Sequence, residues 1–245
     1  MGKYIFCTAG NTPALTFAEK ALRNMGHTFV SQPDETVTHL LLPVPSFSPD
    51  GCIKGGGQLA DIFAKLGKDT VIIGGNLPEA PGYRVCDLLK DPTYIAENAY
   101  ITAHCAVRMV MDRLPVALRG CKILVIGWGR IGKCLAALLK GLEANVTVAA
   151  RKESDRAILS ALGYRTADPN HLPEAEYRVI FNTAPAMILP SSPPGCLKID
   201  LASVPGMGGN DVIHALGLPG KDAPEASGAL IARTVCRLIM KEEYM

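Results

Sequence analysis

The chain has 245 residues, 48% of them hydrophobic and 20% charged, with a formal net charge of +2. This composition excludes a disordered, collagen-like or coiled-coil chain and allows one large or two modest domains. No basic run or aromatic-interleaved basic stripe offers a nucleic-acid surface. The longest apolar stretches fall well short of the roughly 20 residues that cross a bilayer, so no membrane span is expected. Met1-Gly2-Lys3-Tyr4-Ile5-Phe6-Cys7 reads directly into a strand, without a secretory apolar region, and a cytoplasmic protein is expected. The eight cysteines occur singly, with no C-x-x-C pair, and read as reduced thiols with no metal site.

In chain order, Tyr4 to Thr8 predicts a strand and Pro13 to Met25 a helix ending at Gly26. His39 to Val44 reads as a strand, Gln58 to Leu66 as a helix ending at Gly67, and Thr70 to Ile73 as a strand. Between them, Pro43 to Gly57 is too long and too rich in Pro, Gly and Ser for a bare connection, and reads as a binding loop. Asp91-Pro92 starts a helical region that runs, with a break near Asn98, to about Arg113.

A second series follows. Lys122 to Ile126 is a strand, Ile131 to Leu142 a helix, Asn145 to Ala150 a strand and Ser154 to Leu162 a helix, with strands at Arg178 to Asn182 and Leu197 to Leu201. Pro224 to Glu243 is helical by pattern. Strands that alternate with helices argue for parallel sheets, hence an α/β fold of two Rossmann-like or flavodoxin-like domains. The expected division is 1–97, joined by about 224–245 through a C-terminal helix that crosses back, and 98–223.

Gly127-Trp128-Gly129-Arg130-Ile131-Gly132 is G-x-G-x-x-G between a strand and a helix, the context that a dinucleotide-binding turn requires. Gly127 permits the tight turn, Gly129 admits a pyrophosphate close to backbone, and Gly132 lets the helix pack on the strand, while the helix start offers amide hydrogens to the anion. Arg130 is placed to reach the pyrophosphate. The second strand ends Ala150-Arg151-Lys152-Glu153-Ser154, without the acid that usually holds the ribose hydroxyls of NAD. Arg151, Lys152 and Ser154 complement a 2′-phosphate instead, so NADP is expected in preference to NAD.

Asn182-Thr183-Ala184-Pro185 and Asp200-Leu201-Ala202-Ser203 leave the carboxyl ends of strands, where open α/β sheets bind ligands, and Ala202 and Ser203 join the cofactor set. Lys54 with Gly55, Gly56 and Gly57, just before a helix, is a candidate anion site. Arg108, one turn after His104, and Lys221 are candidate carboxylate anchors, and His104 is the candidate proton carrier.

These motifs resemble, in order and spacing, those of the dipicolinate synthase A family: Gly127 to Gly132; Asn182 to Pro185 with Met187-Ile188-Leu189; Asp200 to Ser203 with Pro205-Gly206; and Gly217-Leu218-Pro219-Gly220 with Ala223-Pro224 and Gly228. The likeness continues more loosely through Leu42-Pro43-Val44, Asn98 and Thr102. It implies NADP-dependent oxidation of a dihydro- or hydroxytetrahydrodipicolinate precursor to dipicolinate in a cleft between the domains. The partners it implies are a small dicarboxylate substrate and a flavoprotein-like second subunit, and a homo-oligomer is expected. The fold also resembles that of the 2-hydroxyacid dehydrogenases, but 200–206 carries no arginine and 218–224 no histidine where those enzymes place catalytic groups.

Overall fold

The apolar runs of the sequence become the inner strands of two parallel sheets in a computed structural model that describes residues 4–172, 176–191 and 195–243. Met1 to Lys3, the start of the expected amino-terminal segment, lie outside the described residues. The α/β class holds. The chain divides into two compact units, Met1–Asn98 with Pro219–Met245, and Ala99–Leu218.

In the first unit, β1 (Ile5–Thr8), β2 (Thr28–Val30), β3 (His39–Leu41), β4 (Val71–Gly74) and β5 (Arg84–Asp87) form one sheet in the order β2-β1-β3-β4-β5. All four pairings are parallel. This is the flavodoxin-like order, and its direction reverses between β1 and β3. Helix α1 (Pro13–Asn24) starts at Thr12, whose hydroxyl accepts the Leu15 N–H at 3.3 Å. Its buried side, Ala14, Leu15, Ala18 and Leu22, has helical spacing.

Helix α2 (Leu59–Phe63) is shorter than the expected 58–66. Its last turns close as i to i+3 bonds, Lys65 N–H to Ile62 O and Leu66 N–H to Phe63 O. The Phe63 carbonyl also accepts the Tyr83 hydroxyl at 2.8 Å. Helix α3 (Pro92–Met111) runs unbroken, so the expected interruption at Asn98 does not occur.

The second unit carries β6 (Lys122–Ile126), α4 (Arg130–Gly141), β7 (Asn145–Ala149), α5 (Glu153–Ala161), β8 (Arg165–Ala167), β9 (Val179–Asn182), β10 (Leu197–Asp200) and β11 (Val212–His214). The six strands pair in the order β11-β10-β9-β6-β7-β8, all parallel. Counted within the unit this is the Rossmann order, with its reversal between β6 and β9. Lys198 of β10 is buried and neutralised by Asp211, 2.5 Å away, whose carboxyl that bond holds below its ordinary value.

After the short α6 (Leu218–Asp222), helix α7 (Pro224–Glu243) belongs to the first unit and packs along α1. Gly228 makes the close crossing possible, since a Cβ there would stand 2.6 Å from the Ala14 carbonyl oxygen and 2.5 Å from Phe17 Cβ.

His39 sits in the first unit's core, 4% exposed, with its ring stacked on Phe6 and edge-on to Tyr4. Burial, helped by the charges of Arg84 and His27, pulls its imidazole down from 6.5 to about 4. The folded chain therefore holds His39 neutral, while the unfolded chain protonates it near the ordinary value. Above about pH 6.5 both states carry the same charge there and stability is full. As the pH falls towards about 4 only the unfolded state gains the proton, and about 3 kcal/mol is lost. Denaturant titrations across this window should show that loss, with a shallower slope in His39→Phe; equal slopes would remove His39 as its cause.

Candidate functional site

The second unit's direction reversal is where the chemistry-bearing residues gather. At the end of β6 the chain turns at Gly127, whose φ of +104° lies in the left-handed region, with its N–H on the Ala149 carbonyl at 2.9 Å. A Cβ at Gly127 would meet Thr183 Oγ1 at 2.5 Å, and one at Gly132 would collide with the Gly127 carbonyl oxygen. Gly129 differs: it is the N-cap of α4, and nothing stands within 4 Å of where its Cβ would be. No side chain caps that helix start, so its first N–H groups are free for an anion.

A cavity of about 380 Å3 opens at this turn. Gly127, Trp128, Arg151, Lys152, Ala184 and Pro185 of the expected cofactor set line it. Arg130 and Ser154 are exposed and Ile131 is half-buried, and none of the three is part of its wall. Trp128 also packs against Tyr164 and lies under the Lys133 ammonium, 5.6 Å from its ring centre.

Arg151 and Lys152 owe their place to Arg156, which sequence reasoning missed. Its guanidinium donates to the Ala150 and Arg151 carbonyls at 2.7 and 2.9 Å and pairs with Asp168 at 3.4 Å. It thereby ties the β7–α5 turn to the turn that carries Pro169 and Asn170, both cavity residues. Asp155, in the first turn of α5, also lines the cavity and was not anticipated.

Across the reversal, Asn182 and Asp200 form one buried unit. The Asn182 side-chain amide donates to Asp200 Oδ1 at 2.8 Å and to the Ala184 carbonyl at 3.0 Å, and its oxygen accepts the Ala184 N–H at 3.1 Å. Asp200 further accepts the N–H groups of Ala202, Gly206 and Met207 at 3.1, 2.7 and 3.2 Å. Asn182 is fully buried, so it shapes the Ala184-Pro185 wall from behind, and Ala202 is held the same way beside an exposed Ser203. Thr183 closes the turn by donating to the Ile126 carbonyl at 2.9 Å. The motif Asp200 to Ser203 was visible in sequence, but only the folded loop reveals the role of the carboxylate.

His104 and Arg108 are not brought to this cavity. They line a separate apolar groove of about 840 Å3 between α3 and α4, with Tyr100, Met111, Lys133 and Leu142. Arg108 lies 3.9 Å from Asp112 there, with both side chains largely exposed.

In the first unit, Lys54 and the three glycines lie at the other reversal. The Lys54 carbonyl accepts the Asn11 N–H at 2.9 Å, and its N–H bonds the Ser46 carbonyl, seating the loop at the carboxyl ends of β1 and β3. Gly55, with φ of +85°, is required there because a Cβ would press into Asn11, 2.7 Å from its Cα. Gly56 and Gly57 continue the loop, exposed. Burial and the neighbouring Lys221 ammonium both hold Lys54 below its ordinary value. Two neighbouring cations, Lys54 in a loop at the sheet's reversal point, make an anion-attracting spot.

Residues 96–187 match the family described as D-isomer specific 2-hydroxyacid dehydrogenase, NAD binding domain. The second unit is an NAD-binding domain. No curated protein matches the chain. Among solved structures it is similar to dipicolinate synthase A from Bacillus halodurans, at 20% identity and a TM-score of 0.80 over 97% of this chain and 98% of that one. Its counterpart from Bacillus subtilis, also a dipicolinate synthase, gives 20% identity and a TM-score of 0.81, over 100% and 98% of the two chains. A transhydrogenase from Sinorhizobium meliloti gives 13% and 0.68, over 97% and 94%. At these identities the likeness concerns the fold, which this chain shares with dipicolinate synthase A along its whole length. None of the described helices is long and apolar enough to cross a membrane.

Proposed function

We propose that the chain is an NADP-dependent oxidoreductase that converts a dihydrodipicolinate-type precursor to dipicolinate. The observation that carries the cofactor half is the cavity wall at the end of β7, where Arg151 and Lys152 stand in place of an acid beside the start of α5. A 2′-phosphate there gains two cations and the amide end of a helix. NADP bound with its pyrophosphate on the α4 start would supply the hydride acceptor. The substrate half rests on the motif resemblance, on the shared fold and on Lys54 and Lys221, which suit the carboxylates of a small dianion. Gly55, Gly56 and Gly57 add backbone amides to that spot.

Oxidising a dihydropyridine creates an aromatic ring, so the protein has to supply orientation, a hydride acceptor and a route for one proton. His104 is the candidate for that proton and Arg108 a candidate carboxylate anchor. A second, flavoprotein-like subunit and self-association belong to the same reading.

Reduction of NADP by dihydrodipicolinate, followed at the nicotinamide absorbance, tests the reaction. No reduction, with cofactor still bound, would favour a non-catalytic nucleotide-binding subunit; activity on another small carboxylate would move the assignment to a different dehydrogenase. NADPH should bind more tightly than NADH, and Arg151→Ala should remove about tenfold or more of that preference, as expected for a charge-assisted bond of about 1.5–3 kcal/mol. Equal affinities in the parent would overturn the NADP assignment. Lys54→Ala and Lys221→Ala should raise KM for the dicarboxylate with little change in kcat. A His104→Gln variant with full turnover would return the proton to solvent.

A further inference from the structure

Three soft or borderline donor atoms meet on the first unit, apart from the Lys54 loop. Met25 closes α1, Gly26 follows with a left-handed φ of +94°, and His27 comes next. Cys236 reaches them from α7. Its Sγ lies 3.5 Å from Met25 Sδ and 3.7 Å from His27 Nε2.

The spacing is that of ligands around one ion. With metal–sulfur bonds of about 2.3 Å and metal–nitrogen bonds of about 2.0 Å, a three-coordinate centre separates its sulfurs by about 4.0 Å and sulfur from nitrogen by about 3.7 Å. The sulfur–nitrogen separation of 3.7 Å matches, and the sulfur–sulfur separation of 3.5 Å is about half an ångström short, a shift that side-chain rotation supplies. The support is stiff, because the Gly228 crossing fixes α7 against α1. The site is also reachable, since Met25 is half exposed.

A second observation concerns His27 alone. Its Nδ1 is buried and has no hydrogen-bond partner among the described residues, while Nε2 is the ring nitrogen that faces Cys236 Sγ. With Nδ1 carrying the proton, Nε2 keeps its lone pair on the side of Cys236 Sγ. We propose that Met25, His27 and Cys236 form a binding site for a soft monovalent cation, Cu(I). A thiolate and a thioether select this ion and imidazole suits it, whereas hard oxygen-seeking cations have no ligand here. Binding replaces the thiol proton of Cys236, which is released to solvent, and leaves the oxidation state of copper unchanged.

The test is anaerobic titration of the full chain with Cu(I) against a chromogenic chelator, with X-ray absorption on the loaded protein. One equivalent should bind tightly, with two sulfurs and one nitrogen around the metal. Loss of a partner one shell out already costs about 10–100-fold, so Cys236→Ser and His27→Gln should each weaken binding by about a hundredfold or more, and Met25→Leu by less. Parent affinity retained in Cys236→Ser would assign the metal to other thiols and overturn the site. All-sulfur coordination in the parent, or no tight equivalent, would overturn it without any variant having to fold.

Discussion

A Gly129→Val variant is expected to lose dinucleotide affinity while keeping its thermal transition. The structure separates the three glycines of the turn by what a side chain would meet. Gly127 needs its left-handed φ and Gly132 has no room beside the Gly127 carbonyl, so substitutions there distort the turn itself. Gly129 has an ordinary φ of −79° and open space where its Cβ would go. That space is the approach to the amides of the α4 start, which a pyrophosphate has to reach. A branched side chain fills the approach without straining the chain. Calorimetry with NADPH should show a loss of about a hundredfold or more, equivalent to about 2.8 kcal/mol. Affinity within a few-fold of the parent would mean that the dinucleotide does not cross this glycine. A loss of the thermal transition would contradict the open space.

Removing the carboxylate of Asp200 should damage both the fold of the second unit and its cofactor binding. Asp200 is 1% exposed and accepts four hydrogen bonds, from the Asn182 amide and from three backbone N–H groups. In Asp200→Ala those donors keep their buried positions and lose their acceptor, at about 1–3 kcal/mol for each one left unsatisfied. Even with partial rearrangement, a loss of about 3 kcal/mol or more is expected. Asn182→Ala removes one donor and its own support of Ala184, so its cost should be smaller. A double-mutant cycle should then show strong coupling, because the two side chains act as one unit. Additive losses would mean that the loops from β9 and β10 hold their shapes independently. Gly206 belongs to the same arrangement: a Cβ there would stand 2.5 Å from the Ala186 carbonyl oxygen and collide with the Asn182 amide.

His104 and Arg108 line a groove separate from the cavity at the glycine turn. Four residues apart on one helix, they do share a face, as the helical period requires. Which cavity that face meets depends on α4, which packs across it and makes the apolar groove. Asp155 and Asn170 reach the cavity at the glycine turn from segments with no ligand signature of their own.

The sequence by itself determined the inner strands and the glycine turn. β4, β6 and β9 are largely apolar runs, Val71–Gly74, Lys122–Ile126 and Val179–Asn182, because both faces of a parallel strand are covered, and burial writes itself into composition. The glycine turn was legible because backbone sterics admit few residues there. The four strands that escaped, β2, β5, β8 and β11, are the four sheet edges. Each has only three or four residues, and Arg84 and Val85 of β5 are exposed. Their extended state comes from hydrogen bonds to a neighbour distant in sequence, so no local pattern announces them. The same reason governs the site: Arg156, Asn182 and Asp200 act through partners that only the folded loops deliver, while the glycines act through backbone conformation, which is local. Tertiary structure therefore decided how the loops around the cavity at the glycine turn are held and where the α3 face points.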